Sequence, residues 1–73
     1  ISADIVPSAI NVRSGPDGNS QIIGTVQGTV EVIARDFEGE AVYLAGADGW
    51  VWSASEYIDL TDEQINMLPV RLD

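Results

Sequence analysis

Through most of this chain apolar side chains recur at every second position, in short runs separated by Gly, Pro, Asn and Asp. A strand turns successive side chains to opposite faces, whereas a helix repeats every ~3.6 residues, so this pattern directs the chain to an all-β fold. The turn residues recur at intervals suited to a small antiparallel barrel. With 73 residues there is material for one core only. A chain this short buries about 60% of its unfolded surface, and two smaller cores would not offset the entropy of ordering the backbone.

The strands follow from the alternation. Ile10 and Val12 take one face of a strand and Asn11 and Arg13 the other, after which Ser14-Gly15-Pro16-Asp17-Gly18-Asn19 forms a loop. The next strand runs from Ile22 to Val26, and Gln27-Gly28 turns the chain into residues 29–34, where Val30 and Val32 share a face. Residues 36–40 make an acidic loop around Gly39. Residues 41–44 and 49–52 then pair as a hairpin, with Val51 directed to the core and opposite in sense to Trp50 and Trp52.

Beyond residue 60 the period changes. Thr61-Asp62-Glu63-Gln64 has the form of a capping box, which predicts a short helix through Asn66 or Met67, ended by Pro69. Ile65 and Leu68 would cover one open end of the barrel, and residues 70–72 are expected to return as a short edge strand. The N-terminal segment, with Ile5-Val6-Pro7, reads as either an edge strand or a linker. The expected layout is residues 1–8 as that strand or linker, a barrel over 9–60, and a capping helix and tail over 61–73.

Several kinds of chemistry are excluded by residues the chain lacks. There is no Cys and no His, which removes disulfides, thiol nucleophiles, Ser-His triads, imidazole bases and the commonest zinc ligands. Asp36, Glu38 and Glu40 remain as an acid–base candidate, but carboxylates on a loop are expected to be solvated, so no enzymatic activity is expected. No cofactor or metal is expected either. Asp17-x-Asn19 opens like a calcium loop, yet Gly28 stands where the bidentate Glu would be required.

Twelve acidic residues face only Arg13, Arg35 and Arg71, for a net charge of -9. Such a field repels nucleic acid and anionic lipid headgroups, and otherwise serves solubility. No run approaches the ~18 apolar residues of a membrane helix, and no signal peptide is recognisable. Opening on Ile1, the sequence reads as a segment excised from a longer protein.

Ile10-Asn11-Val12-Arg13-Ser14-Gly15-Pro16, followed by Ile22-Ile23-Gly24, Gly49-Trp50-Val51 and Tyr57-Ile58, resembles the bacterial Src homology 3 domain family in order and spacing over about residues 9–59. The resemblance implies an SH3-like barrel of five or six strongly bent antiparallel strands. It also implies an accessory module of an exported or cell-surface bacterial protein that acts on or binds the cell wall, and hence an extracytoplasmic location. Members commonly carry a Trp where this chain has Ala41, which removes one aromatic wall of a ligand groove.

In Src homology 3 folds at large, the residues matching Trp50, Trp52 and Tyr57 border a groove that grips an extended peptide. Flanked by Tyr43 and Arg13, they are the candidate ligand-binding residues. The alternative is that these rings cover the barrel end or pack beneath the terminal helix. Arg13 is expected to stack on Trp50 or to bridge backbone carbonyls. Gly15 and Pro16 are expected to shape a turn, Gly by tolerating positive φ and Pro by fixing its own. The expected function is noncatalytic recognition of a peptide, or of a cell-wall peptide or glycan, with cationic ligands favoured. The competing reading is a spacer or docking domain whose aromatic patch is covered by an adjacent domain of the parent protein or by a second copy in a weak homo-oligomer.

Overall fold

The computed structural model describes residues 1–71. Six strands and one helix follow in the order β1 (Ser2–Asp4), β2 (Ile10–Arg13), β3 (Ile22–Val26), β4 (Thr29–Arg35), β5 (Ala41–Leu44), β6 (Gly49–Trp52) and α1 (Asp62–Met67). The strands form one antiparallel sheet in the order β1-β4-β5-β6-β2-β3. Its edges, β1 and β3, do not pair with each other, so the sheet is not closed. It is nevertheless curled. β3 lies at the far end of the sheet from β4, yet only Gln27-Gly28 joins them, with Gly28 at φ 74°.

Alternation sorts side chains between two apolar clusters. Val12, Val32, Val42, Leu44 and Val51 point into the larger one, with Ala3, Ile5, Ile10, Ile58, Leu60, Ile65 and Leu68. Ala34, Ala41, Tyr43 and Trp50 form the smaller one on the opposite face, with Trp52 packed against it. β5 supplies both and is buried along its whole length: Val42 and Leu44 serve one cluster, Ala41 and Tyr43 the other. In β4 the register against β5 breaks between Val32 and Ala34. That irregularity leaves Ile33 exposed and delivers Ala34 to the second cluster.

The helix matches its sequence signal. Thr61 caps it, its hydroxyl accepting from the Gln64 amide while the Gln64 side chain accepts from the Thr61 amide. Ile65 and Leu68 both join the larger cluster.

Within the N-terminal segment expected as an edge strand or a linker, Ser2–Asp4 forms an edge strand, with Ala3 and Asp4 in register against Val30 and Thr29, while Ile5 is buried in a bridge to Ile58. In the tail, the return is a parallel bridge of Val70 to Arg35, held by the Arg35 amide donating to Pro69 O and the Arg71 amide donating to Arg35 O. The expected strand extended to Leu72, which lies outside the described residues.

Candidate functional site

The three candidate side chains on β2 and β6 are set by register. Arg13 pairs with Trp50, and Ala41, Val42 and Tyr43 pair with Trp52, Val51 and Trp50. Paired residues share a face, so Arg13, Tyr43, Trp50, Ala41 and Trp52 project from the side opposite Val51. The two indoles therefore lie on the face opposite Val51, as alternation predicts.

Their environments differ sharply. Trp50 is 1% exposed, sealed by Ala34, Ala41 and an edge-to-face contact with Tyr43 at 5.3 Å and 71°. The Tyr43 hydroxyl donates to the Asp48 carboxylate, and the Arg71 guanidinium lies over the Tyr43 ring at 3.9 Å. Trp50 and Tyr43 are thus buried, so of the alternatives the sequence leaves open, covered rings hold for Trp50, and Trp52 is the indole that borders a groove. The cover is not the terminal helix, which packs on the other cluster. It comes from small residues beside the rings and from the tail that carries Arg71.

Trp52 is half-buried and stands as a ridge between two concavities. On one side is a groove of about 420 Å³ lined by Pro7, Ala9, Ile10, Asn11, Arg13, Trp52 and Tyr57. On the other is a cleft of about 320 Å³ lined by Pro16, Asp17, Gly18, Asp36, Glu38, Glu40 and Trp52. A hydrogen bond with Glu38, and then the repulsion of its charge, hold the Glu40 carboxyl above the ordinary carboxylate range.

Arg13 stacks on Trp52, its guanidinium carbon 5.7 Å from the ring centroid, and not on its directly paired neighbour Trp50. A long side chain reaches the diagonal position on the next strand, and Trp50 is already enclosed. The other expected use of Arg13 is present: one terminal nitrogen donates to Ser20 O at 3.0 Å and Gly18 O at 3.4 Å. These bonds clamp the 14–19 loop to β2. Tyr57 reaches the groove because its amide donates to Ala54 O and its carbonyl accepts from the Val6 amide, which also brings Pro7 alongside.

The loop residues act through space more than through dihedral preference. Gly15 does not have positive φ; a Cβ there would meet the Ser20 hydroxyl at 2.6 Å. Asp17 accepts from the Asn19 amide and the Ser20 hydroxyl, at 2.9 and 3.0 Å, so its carboxylate organises its own turn. Ala41 is buried against the second cluster and opposite Trp52. Its methyl leaves room for the large rings of Trp50 and Tyr43.

Of the five candidate ligand-binding residues, the structure brings Arg13, Trp52 and Tyr57 to one groove and withdraws Trp50 and Tyr43. Pro7 and Asn11 join the groove unanticipated. Asn11 was legible, since it sits two residues before Arg13 on the same strand face; Pro7 arrives only through the contact of residues 5–6 with 57–58. Comparison with protein-family models, with curated proteins and with solved structures finds no match to this chain.

Proposed function

We propose that this chain is a noncatalytic recognition module of a larger exported bacterial protein, and that the groove bounded by Arg13, Trp52 and Tyr57 binds an extended peptide or cell-wall fragment. The observation that carries this reading is the convergence of those three side chains, with Pro7 and Asn11, on one groove of about 420 Å³. A flat indole and a phenol give contact area at low entropy cost, and the Asn11 amide adds a donor and an acceptor for a backbone or a sugar hydroxyl. The carboxylates beyond Trp52 favour ligands with a cationic group at that end.

Six antiparallel strands, the curl imposed by Gln27-Gly28 and the helix against the larger cluster support assigning the fold to an SH3-like barrel. On that assignment the parent protein works outside the cytoplasm.

Titration of cell-wall peptides, and of basic and Pro-rich peptides, against tryptophan fluorescence tests the reading. A saturable change is expected, abolished by Trp52→Ala and Tyr57→Ala and retained by Phe37→Ser. An unchanged spectrum at millimolar ligand would refute it.

A further inference from the structure

Arg13 has more donors than the fold uses. A guanidinium carries five N–H groups in one rigid plane. One terminal nitrogen, Nη1, donates to Ser20 O at 3.0 Å and to Gly18 O at 3.4 Å. Among the described residues nothing accepts from Nε or from the second terminal nitrogen, Nη2. Neither is sealed from solvent, since among those residues Arg35 Nε is the buried side-chain nitrogen that lacks a partner. No acid neutralises Arg13 either: among the described residues no carboxylate stands within ion-pair distance of it. With twelve acids against three arginines, positive charge is scarce in this chain, and here it is kept apart from the acids.

The acids that border Trp52 all lie on its other side. The groove that Arg13 lines contains none, whereas the cleft across the indole holds Asp17, Asp36, Glu38 and Glu40. The two carbonyls and the Trp52 ring, 5.7 Å from the guanidinium carbon, hold the plane of Arg13 in place. What remains is the Nε–Nη2 edge, two parallel N–H groups that match the two oxygens of a carboxylate. Asn11 and Tyr57 line the same groove, and neither the Asn11 amide nor the Tyr57 hydroxyl has a partner among the described residues.

We propose, on the reading that this groove is the ligand site, that the Nε–Nη2 edge of Arg13 binds the terminal carboxylate of a peptide, so that the groove takes the ligand's C-terminal end. One guanidinium balances one carboxylate. A polyanion, with its charges in a row, would meet a single cation on a chain of net charge -9. Length favours a chain terminus over an Asp or Glu side chain. Asn11 lies two residues from Arg13 on one strand face, ~7 Å along the strand, which is the span of about two extended residues. With the carboxylate on Arg13, the ligand's last peptide groups come level with the Asn11 amide, which offers them a donor and an acceptor. A side-chain carboxylate would hold its own main chain one or two methylenes farther out. The same placement sets polarity: a basic side chain that reaches the acidic cleft comes from earlier in the ligand, across Trp52.

N-acetylated basic and Pro-rich peptides, each prepared with a free carboxyl end and as the C-terminal amide, are titrated against the 73-residue chain in proton–nitrogen correlation spectra. The free acid is expected to bind about tenfold or more tighter than the amide. The Arg13 Nε–H signal should move with the acid and hold still with the amide. Net charge opposes that preference, because the amide carries one negative charge fewer toward a chain of -9, so tighter binding of the acid reports a local contact. Arg13→Lys keeps the charge but cannot present two parallel N–H groups, and it should remove most of the preference. Amidation alters the ligand and leaves the protein untouched, so the comparison holds whether or not the 14–19 loop loosens in that variant. Phe37→Ser should keep the preference. Equal affinity of acid and amide, or tighter binding of the acid with an unmoved Arg13 signal, would overturn the carboxylate contact and leave the groove reading in place. No saturable binding of either form would overturn both.

Discussion

Replacing each indole in turn separates the structural tryptophan from the surface one. Trp50 is 1% exposed and packed between two alanines and the Tyr43 ring. Deleting a buried ring of this size typically removes about 3–5 kcal/mol through lost transfer energy and the cavity left behind. At 0.05–0.15 kcal/mol per residue a chain of 73 residues is stable by roughly 4–11 kcal/mol, and small cores sit near the lower end. Trp50→Ala should therefore remove half of the stability or more. Trp52 is half-buried and keeps one side toward the groove, so Trp52→Ala should remove about 1–2 kcal/mol, including the Arg13 contact. Urea unfolding followed by far-UV circular dichroism reads the difference. With a slope of about 1 kcal/mol per molar, Trp52→Ala lowers the midpoint by about 1–2 M, and Trp50→Ala lowers it by about 3 M or leaves the chain unfolded in water. Trp50→Phe, which keeps part of the ring, should fall between wild type and alanine. Equal midpoints, or a larger loss at Trp52, would refute the assignment of Trp50 to the sealed side.

Other consequences are as direct. Gly49→Ala places a methyl 2.5 Å from Val12 Cγ1 and 2.9 Å from Arg13 O, so it should destabilise by about 1–3 kcal/mol in thermal unfolding, whereas Gly24→Ala, facing open space, should not. Thr61→Ala breaks the capping box and should lower stability by about 1 kcal/mol, seen as faster amide exchange in the helix. The Glu31 carboxyl lies below its ordinary value of 4.5 because it accepts from the Ile1 ammonium and then from Ser2; acetylating that amine should return its NMR midpoint toward the ordinary value. A lowered folded value stabilises above the unfolded value, and that contribution fades as pH falls through the folded one. Glu40 has the opposite sign: its raised value favours the folded state at acidic pH and loses that contribution as pH rises through it, and Glu38→Gln should bring it down.

Much of the fold could be read from alternation, because a two-residue period fixes which face each side chain takes. Ile10 and Val12, Val42 and Leu44, and Val51 all enter the larger cluster as their spacing implies. The capping box at Thr61 is a local signal and needs no tertiary information. Alternation does not say what lies above the opposite face. Trp50 is enclosed by Ala34, which reaches it only through the irregularity in β4, while Arg71 of the tail covers its neighbour Tyr43. Both depend on contacts distant along the chain. Arg13 illustrates the same limit: its face was legible, but the choice between Trp50 and Trp52 depends on which ring is already covered. Ser2–Asp4 lacks the apolar run that marks a strand, and it becomes one by pairing with β4.

The most direct test of the groove follows the two indole N–H signals in proton–nitrogen correlation spectra as a cell-wall peptide is added. Binding across Arg13 and Tyr57 predicts that the Trp52 signal moves with saturation while the Trp50 signal stays in place. Movement of Trp50 with Trp52 unmoved, or no movement of either, would contradict the placement of the ligand surface.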